Sequence, residues 1–148
     1  MSILAINKPA RHDYDITESY EAGIKLTGDE VKSCKLGQIN LVGSYAVINE
    51  HGLPYLIGCR IAPYKHSSRV KPHDPLRSRQ LLLRQKEVAA LIGSLKEKRF
   101  TLLPLAFHNQ RGLIKVELGL GRGKKQFEKR AAIKKRDIER EVGRKFRR

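Results

Sequence analysis

The last 27 residues, 122–148 (RGKKQFEKRAAIKKRDIEREVGRKFRR), hold 13 Lys and Arg against 4 Asp and Glu, a net +9 out of +16 for the whole chain. Like charges at that density repel one another and cannot be buried without a counter-charge. Any hydrophobic core must therefore come from the first 121 residues, which carry a milder +7. At 148 residues there is room for one such core. The sequence thus divides into a folded body, 1–121, and a basic tail, 122–148. The counter-charge such a tail calls for is a polyanion. Nucleic acid fits, because Lys and Arg release its condensed counterions.

The apolar start at residues 3–6 is too short for a secretory leader and no basic residue precedes it. The longest nearly unbroken apolar run, 100–107 (FTLLPLAF), is far short of a membrane span. A soluble, cytoplasmic protein with no membrane partner is expected. Cys34 and Cys59 are widely separated and form no C-x-x-C pair, so two thiols in or near the core are expected, without a disulfide framework or a zinc site.

Along the body, residues 1–11 look like a loose basic arm carrying Lys8 and Arg11. Residues 14–17 alternate as a strand does. Residues 28–34 (GDEVKSC) have acidic side chains in a first helical turn, and Gly37 closes the helix. Residues 44–48 and 55–61 are rich in β-formers and flank Asn49-Glu50-His51-Gly52, which predicts a hairpin. Residues 62–75 are a polar loop with Pro63, Pro72 and Pro75. Val88, Leu91, Ile92 and Leu95 recur at helical spacing and predict an amphipathic helix over about 85–98. Strands at 100–107 and 113–120 follow, joined by a turn at 109–112, with Ile114, Val116, Leu118 and Leu120 on one face of the second. This mainly β pattern with a few helices predicts an OB-like antiparallel barrel with flanking helices, a fold that often binds nucleic acid on an open face.

No catalytic constellation or metal site is visible. Residues 119–125 (GLGRGKK) fail the phosphate-loop pattern, which needs Gly where Leu118 stands and Ser or Thr where Lys125 stands. They also fail the dinucleotide fingerprint, whose third Gly is replaced by Lys124. A flexible hinge between body and tail is the better reading. His12, His51, His66, His73 and His108 show no ligand spacing. Asp74 before Pro75 starts a turn more readily than it acts as an acid. Neither a cofactor nor enzymatic activity is expected.

Placed on a helix, the tail puts Phe127, Ala131, Ile138 and Val142 on one side, with Lys125, Lys129 and Arg136 opposite Phe127. Arg136, Arg140, Arg144 and Arg148 form an i, i+4 column whose repulsion costs about 1 kcal/mol in an isolated helix. Isolated helices of this length are marginal in any case. The expectation is a tail disordered when free and helical where phosphate meets the arginines.

Three segments carry a more specific likeness. Residues 21–33 (EAGIKLTGDEVKS), 74–83 (DPLRSRQLLL) and 123–130 (GKKQFEKR) resemble, in order and over nearly the whole chain, the hallmark segments of the SsrA-binding protein family, SmpB. The resemblance implies an OB-like body and a non-enzymatic adaptor role in trans-translation, the rescue of stalled bacterial ribosomes. It implies tmRNA (SsrA RNA) as partner, the stalled ribosome with its empty messenger channel as destination, and elongation factor Tu reached through the tmRNA. Glu30 and Lys32 match family positions at the RNA-binding face. Leu91 matches a helix position tied to RNA binding, although a core leucine is its simpler reading. Lys124 and Lys125 match the basic segment leading into the tail. In the tail the resemblance implies ribosome contacts at Phe127, Lys129, Arg130, Lys134, Lys135, Arg136, Ile138, Arg140 and Arg144. Here Glu128 replaces a family Asp, and Phe127 stands where Tyr or His is common, which leaves a stacking ring without its polar handle. Composition alone would equally accommodate a basic ribosomal structural protein.

Overall fold

The long hairpin at the end of the body organises everything else. In the computed structural model, which describes residues 2–66 and 73–124, the chain runs β1 (Ser2–Ile6), α1 (Lys8–Asp13), β2 (Tyr14–Ile24), α2 (Gly28–Lys35), β3 (Ile39–Asn40), β4 (Tyr45–Ile48), β5 (Pro54–Ile57), β6 (Arg60–Ile61), β7 (Arg79–Leu82), α3 (Gln85–Leu95), β8 (Phe100–Gln110) and β9 (Leu113–Gly123). Arg111 and Gly112 join β8 to β9, both at positive φ (52° and 83°). That geometry matches the twist of a tight hairpin. The strand order is β1-β8-β4-β5-β7-β2-β9, and β8 also pairs with β9; β3 and β6 form a separate two-stranded ladder.

The core follows from alternation. Ile114, Val116, Leu118 and Leu120 of β9 turn inward and join Leu56, Leu81, Leu91, Leu102 and Phe107 in one buried cluster. The predicted hairpin is present, with Tyr45 opposite Ile57 and Ile48 opposite Pro54. Its second strand is shorter than expected. Gly58 takes φ +74°, and Arg60 and Ile61 leave to pair with Asn40 and Ile39. Helix α3 forms with a narrower apolar face than its periodicity predicts. Leu91 is fully buried, Val88 and Leu95 are partly covered, and Ile92 is 40% exposed.

Two expectations are corrected. The first eleven residues are not a loose arm. β1 pairs with β8, and the buried Asn7 pins the segment: its N–H donates to the Leu105 carbonyl at 2.8 Å, and its Nδ2 donates to the Pro104 carbonyl at 2.9 Å. Its Oδ1 accepts from the Ala10 N–H at 3.3 Å, which starts α1 with Pro9 in the first turn. Nor is the glycine run at 119–123 a hinge. β9 continues through Gly123, past the expected body boundary at residue 121. A Cβ on Gly119 would stand 2.7 Å from Leu105 Cδ1, and one on Gly121 would stand 3.0 Å from Ile16 Cδ1 and Tyr14 Cβ. Those glycines let a second small core of Ala10, Leu103 and Leu105, covered by α1, close against the outer face.

Candidate nucleic-acid interface

Helix α2 sorts its side chains between the interior and the surface. Thr27 caps it in a capping box: the Glu30 N–H donates to Thr27 Oγ1 at 3.2 Å, and the Thr27 N–H donates to Glu30 Oε1 at 3.0 Å. Glu30, Ser33 and Cys34 point inward, whereas Lys32 and Lys35 stay exposed. The S/T-x-x-E spacing of Thr27 and Glu30 is legible in the sequence, but the partners of Glu30 inside the fold are not.

Those partners come from the other side of the chain. Arg79 is fully buried and donates from Nε to Glu30 Oε2 at 2.5 Å, while Arg77 donates from Nη2 to Oε1 at 2.5 Å. The remaining donors of Arg79 reach the Cys59 carbonyl at 2.8 Å and the Pro75 carbonyl at 3.2 Å. Asp74 is the turn-former expected of it: its carboxylate accepts from the Leu76 N–H at 3.0 Å and its carbonyl from the Arg77 N–H at 3.1 Å. Burial alone would push the Glu30 carboxyl up. The hydrogen bonds from Arg77, from the Thr27 N–H and from Arg79 outweigh that and hold it at about 2. The hallmark segments 21–33 and 74–83 therefore lock together at one buried carboxylate.

Lys32 lies two residues further round the same helix, on the outside. Its Nζ stands 5.2 Å from the centre of the Tyr64 ring, and His66 meets that ring edge-on at 5.6 Å with a 74° angle between planes. This grouping has no local signal in the sequence, because 32 positions separate Lys32 from Tyr64. Lys124 lies in a different neighbourhood. Its N–H donates to the Asp13 carbonyl at 3.0 Å where the chain leaves β9, and Arg122 beside it pairs with Asp15 at 3.5 Å.

Of the sequence-predicted residues, Lys32 is exposed and Lys124 partly exposed. Glu30 and Leu91 are 0% exposed, so both lie beneath the surface rather than on it. Lys125 and all the tail positions, Phe127, Lys129, Arg130, Lys134, Lys135, Arg136, Ile138, Arg140 and Arg144, lie outside the described residues, as does the expected order–disorder behaviour of the tail. So do Arg69, Lys71 and Pro72 of the loop. Cys34 and Cys59 are free and buried, and burial raises their thiols to about 12 and about 11, which leaves them unreactive. Among the described residues no three His, Cys, Asp or Glu side chains gather as metal ligands, and no helix is long and apolar enough to cross a membrane.

A small, mainly β body with exposed lysine over a buried ion pair, on a chain of net charge +16, has the character of a nucleic-acid-binding module. The SmpB protein family model matches residues 4–148, so the chain belongs to the SmpB family. It is 47% identical to the SsrA-binding protein of Bacillus subtilis (strain 168) over 145 residues, covering 98% of this chain and 92% of that one. It is 48% identical to the SsrA-binding protein of Sulfurihydrogenibium sp. (strain YO3AOP1), covering 97% and 93%. A chain of the solved structure described as "tmRNA-SmpB: a journey to the center of the bacterial ribosome" matches with a TM-score of 0.68 at 48% identity, over 82% of this chain and 85% of that one.

Proposed function

We propose that this protein is a non-enzymatic RNA adaptor. Its body binds the tRNA-like domain of tmRNA and delivers it to stalled ribosomes, where trans-translation tags the incomplete protein and frees the ribosome. The observation that carries this reading is the likeness to SsrA-binding proteins at 45–48% identity over nearly the whole chain, joined to a chain of a tmRNA-SmpB structure. Charge supports it independently, since +16 on 148 residues favours a polyanionic partner. A basic ribosomal structural protein is not favoured by any further observation.

The body acts as an OB-like barrel with flanking helices. In support, β8 pairs with β4 on one side and β9 on the other, and the order β4-β5-β7-β2-β9 returns to it. Body and tail divide the work. Lys32, Lys124 and Lys125 meet RNA phosphate, while Glu30 and Leu91 support the body from beneath its surface. Glu30 fixes α2 against β7, and Leu91 seats α3 on the core. The tail enters the empty messenger channel, with Phe127, Ile138 and the arginines from Arg130 to Arg144 as its contacts. Elongation factor Tu joins through the tmRNA, and the site of action is the cytoplasm. Recovering the full-length protein from bacterial lysate and sequencing its bound RNA tests this. Enrichment of one tRNA-like RNA is expected; a broad ribosomal RNA profile would contradict it.

A further inference from the structure

The cluster on the outer side of α2 has features that a solvated lysine lacks. Tyr64 follows a point of backbone anchored at Ile61, whose N–H donates to the Pro75 carbonyl at 3.0 Å and whose carbonyl lies 3.0 Å from His73 Nε2. Its ring is partly exposed beside the outer side of α2. One face is covered by the Lys32 ammonium, and the neighbouring His66 stands nearly perpendicular, so the two rings are not stacked face to face. An ammonium over a partly exposed ring is a weak, solvent-screened contact. A nucleobase laid on the same ring gains more, and every base has a face to offer. Displaced by a base, Lys32 remains tethered within a few ångströms of it, where the phosphates on either side of that nucleotide run.

We propose that Tyr64 and Lys32 form a single-nucleotide site in which Tyr64 stacks an unpaired base and Lys32 takes an adjacent phosphate. The ligand class is a looped-out or unpaired nucleotide of structured RNA, bound without base identity being read. The inference rests on the adaptor reading above and adds to it a residue, Tyr64, and a mode of contact.

The chain contains no tryptophan, so Tyr64→Trp places a lone, selectively excitable tryptophan at the site. Full-length protein is titrated with a transcript of the tmRNA tRNA-like domain. Expected are binding close to wild type for Tyr64→Trp with its emission quenched as RNA is added, and binding weakened about 5- to 100-fold for Tyr64→Leu. The dependence of log K on log salt should be unchanged in Tyr64→Leu, which removes no charge, and shallower by about 0.7–0.9 in Lys32→Ala. Unquenched tryptophan at saturating RNA, or wild-type affinity for Tyr64→Leu, would overturn the stacking site while leaving the adaptor reading intact. Failure of the wild-type protein to bind the transcript would instead overturn the adaptor reading. If Tyr64→Leu does not fold, the quenching of Tyr64→Trp decides alone.

Discussion

Glu30 shows how a single residue can matter to a surface it never reaches. Both of its oxygens are engaged, and Arg79 beneath them is fully buried. Removing the charge leaves a buried guanidinium with only carbonyl partners, which costs about 3–5 kcal/mol. Glu30→Gln should therefore lower stability by about that amount in denaturant unfolding. The ion pair also carries a pH signature. The folded carboxyl is held at about 2, below its unfolded value of roughly 4.3, so its contribution is complete above about pH 5 and fades as pH falls toward 2. The stability gap between wild type and Glu30→Gln should be constant from pH 7 to 5 and narrow below that. A gap independent of pH would show that the carboxylate is not paired as described. Little of this arrangement was legible in the sequence. Glu30 was placed by family likeness, but a buried Arg79 paired with it across 49 positions has no local signal, and composition makes arginine a surface residue by default.

At the scale of elements, hydrophobic alternation and periodicity found what they could. The hairpin of β4 and β5, helices α2 and α3, and the final pair β8 and β9 were all visible, because each has its own apolar pattern. The misses have specific causes. β2 was seen only at its first four residues, since Glu18, Ser19 and Glu21 are exposed and break the alternation, yet β9 supplies a ladder along its full length. α1 is six residues long, too short for periodicity, and its true signal was the Asn7 cap followed by Pro9. The glycines of β9 were mistaken for a hinge because sequence cannot distinguish a glycine needed for φ from one needed for space. Gly119→Ala tests that distinction. The added methyl must displace Leu105 and crowd Ile16, so a loss of about 1–3 kcal/mol is expected, read as a melting temperature lower by several degrees. Trimming Leu105 to Ala in the same protein should make the pair less than additive. A Gly119→Ala protein as stable as wild type would restore the hinge reading.

At the scale of the whole molecule, the chain combines a stiff body and a charge-rich end. Beyond its glycine run the sequence carries charge that no body of this size can neutralise, since the first 121 residues are themselves net positive at +7. Self-repulsion of that kind is useful only if a large polyanion takes up both parts. In the proposed division of work, the body recognises the RNA fold and the tail places it in the ribosome. Truncation after Lys129 separates these tasks most directly, because it removes Arg136, Ile138, Arg140 and Arg144 and keeps every described residue. The decisive measurement is tmRNA affinity and peptide tagging at stalled ribosomes, made side by side on the truncated and full-length proteins. The truncated protein should bind tmRNA within a few-fold of full length and lose tagging; equal loss of both, or tagging that survives, would contradict this division.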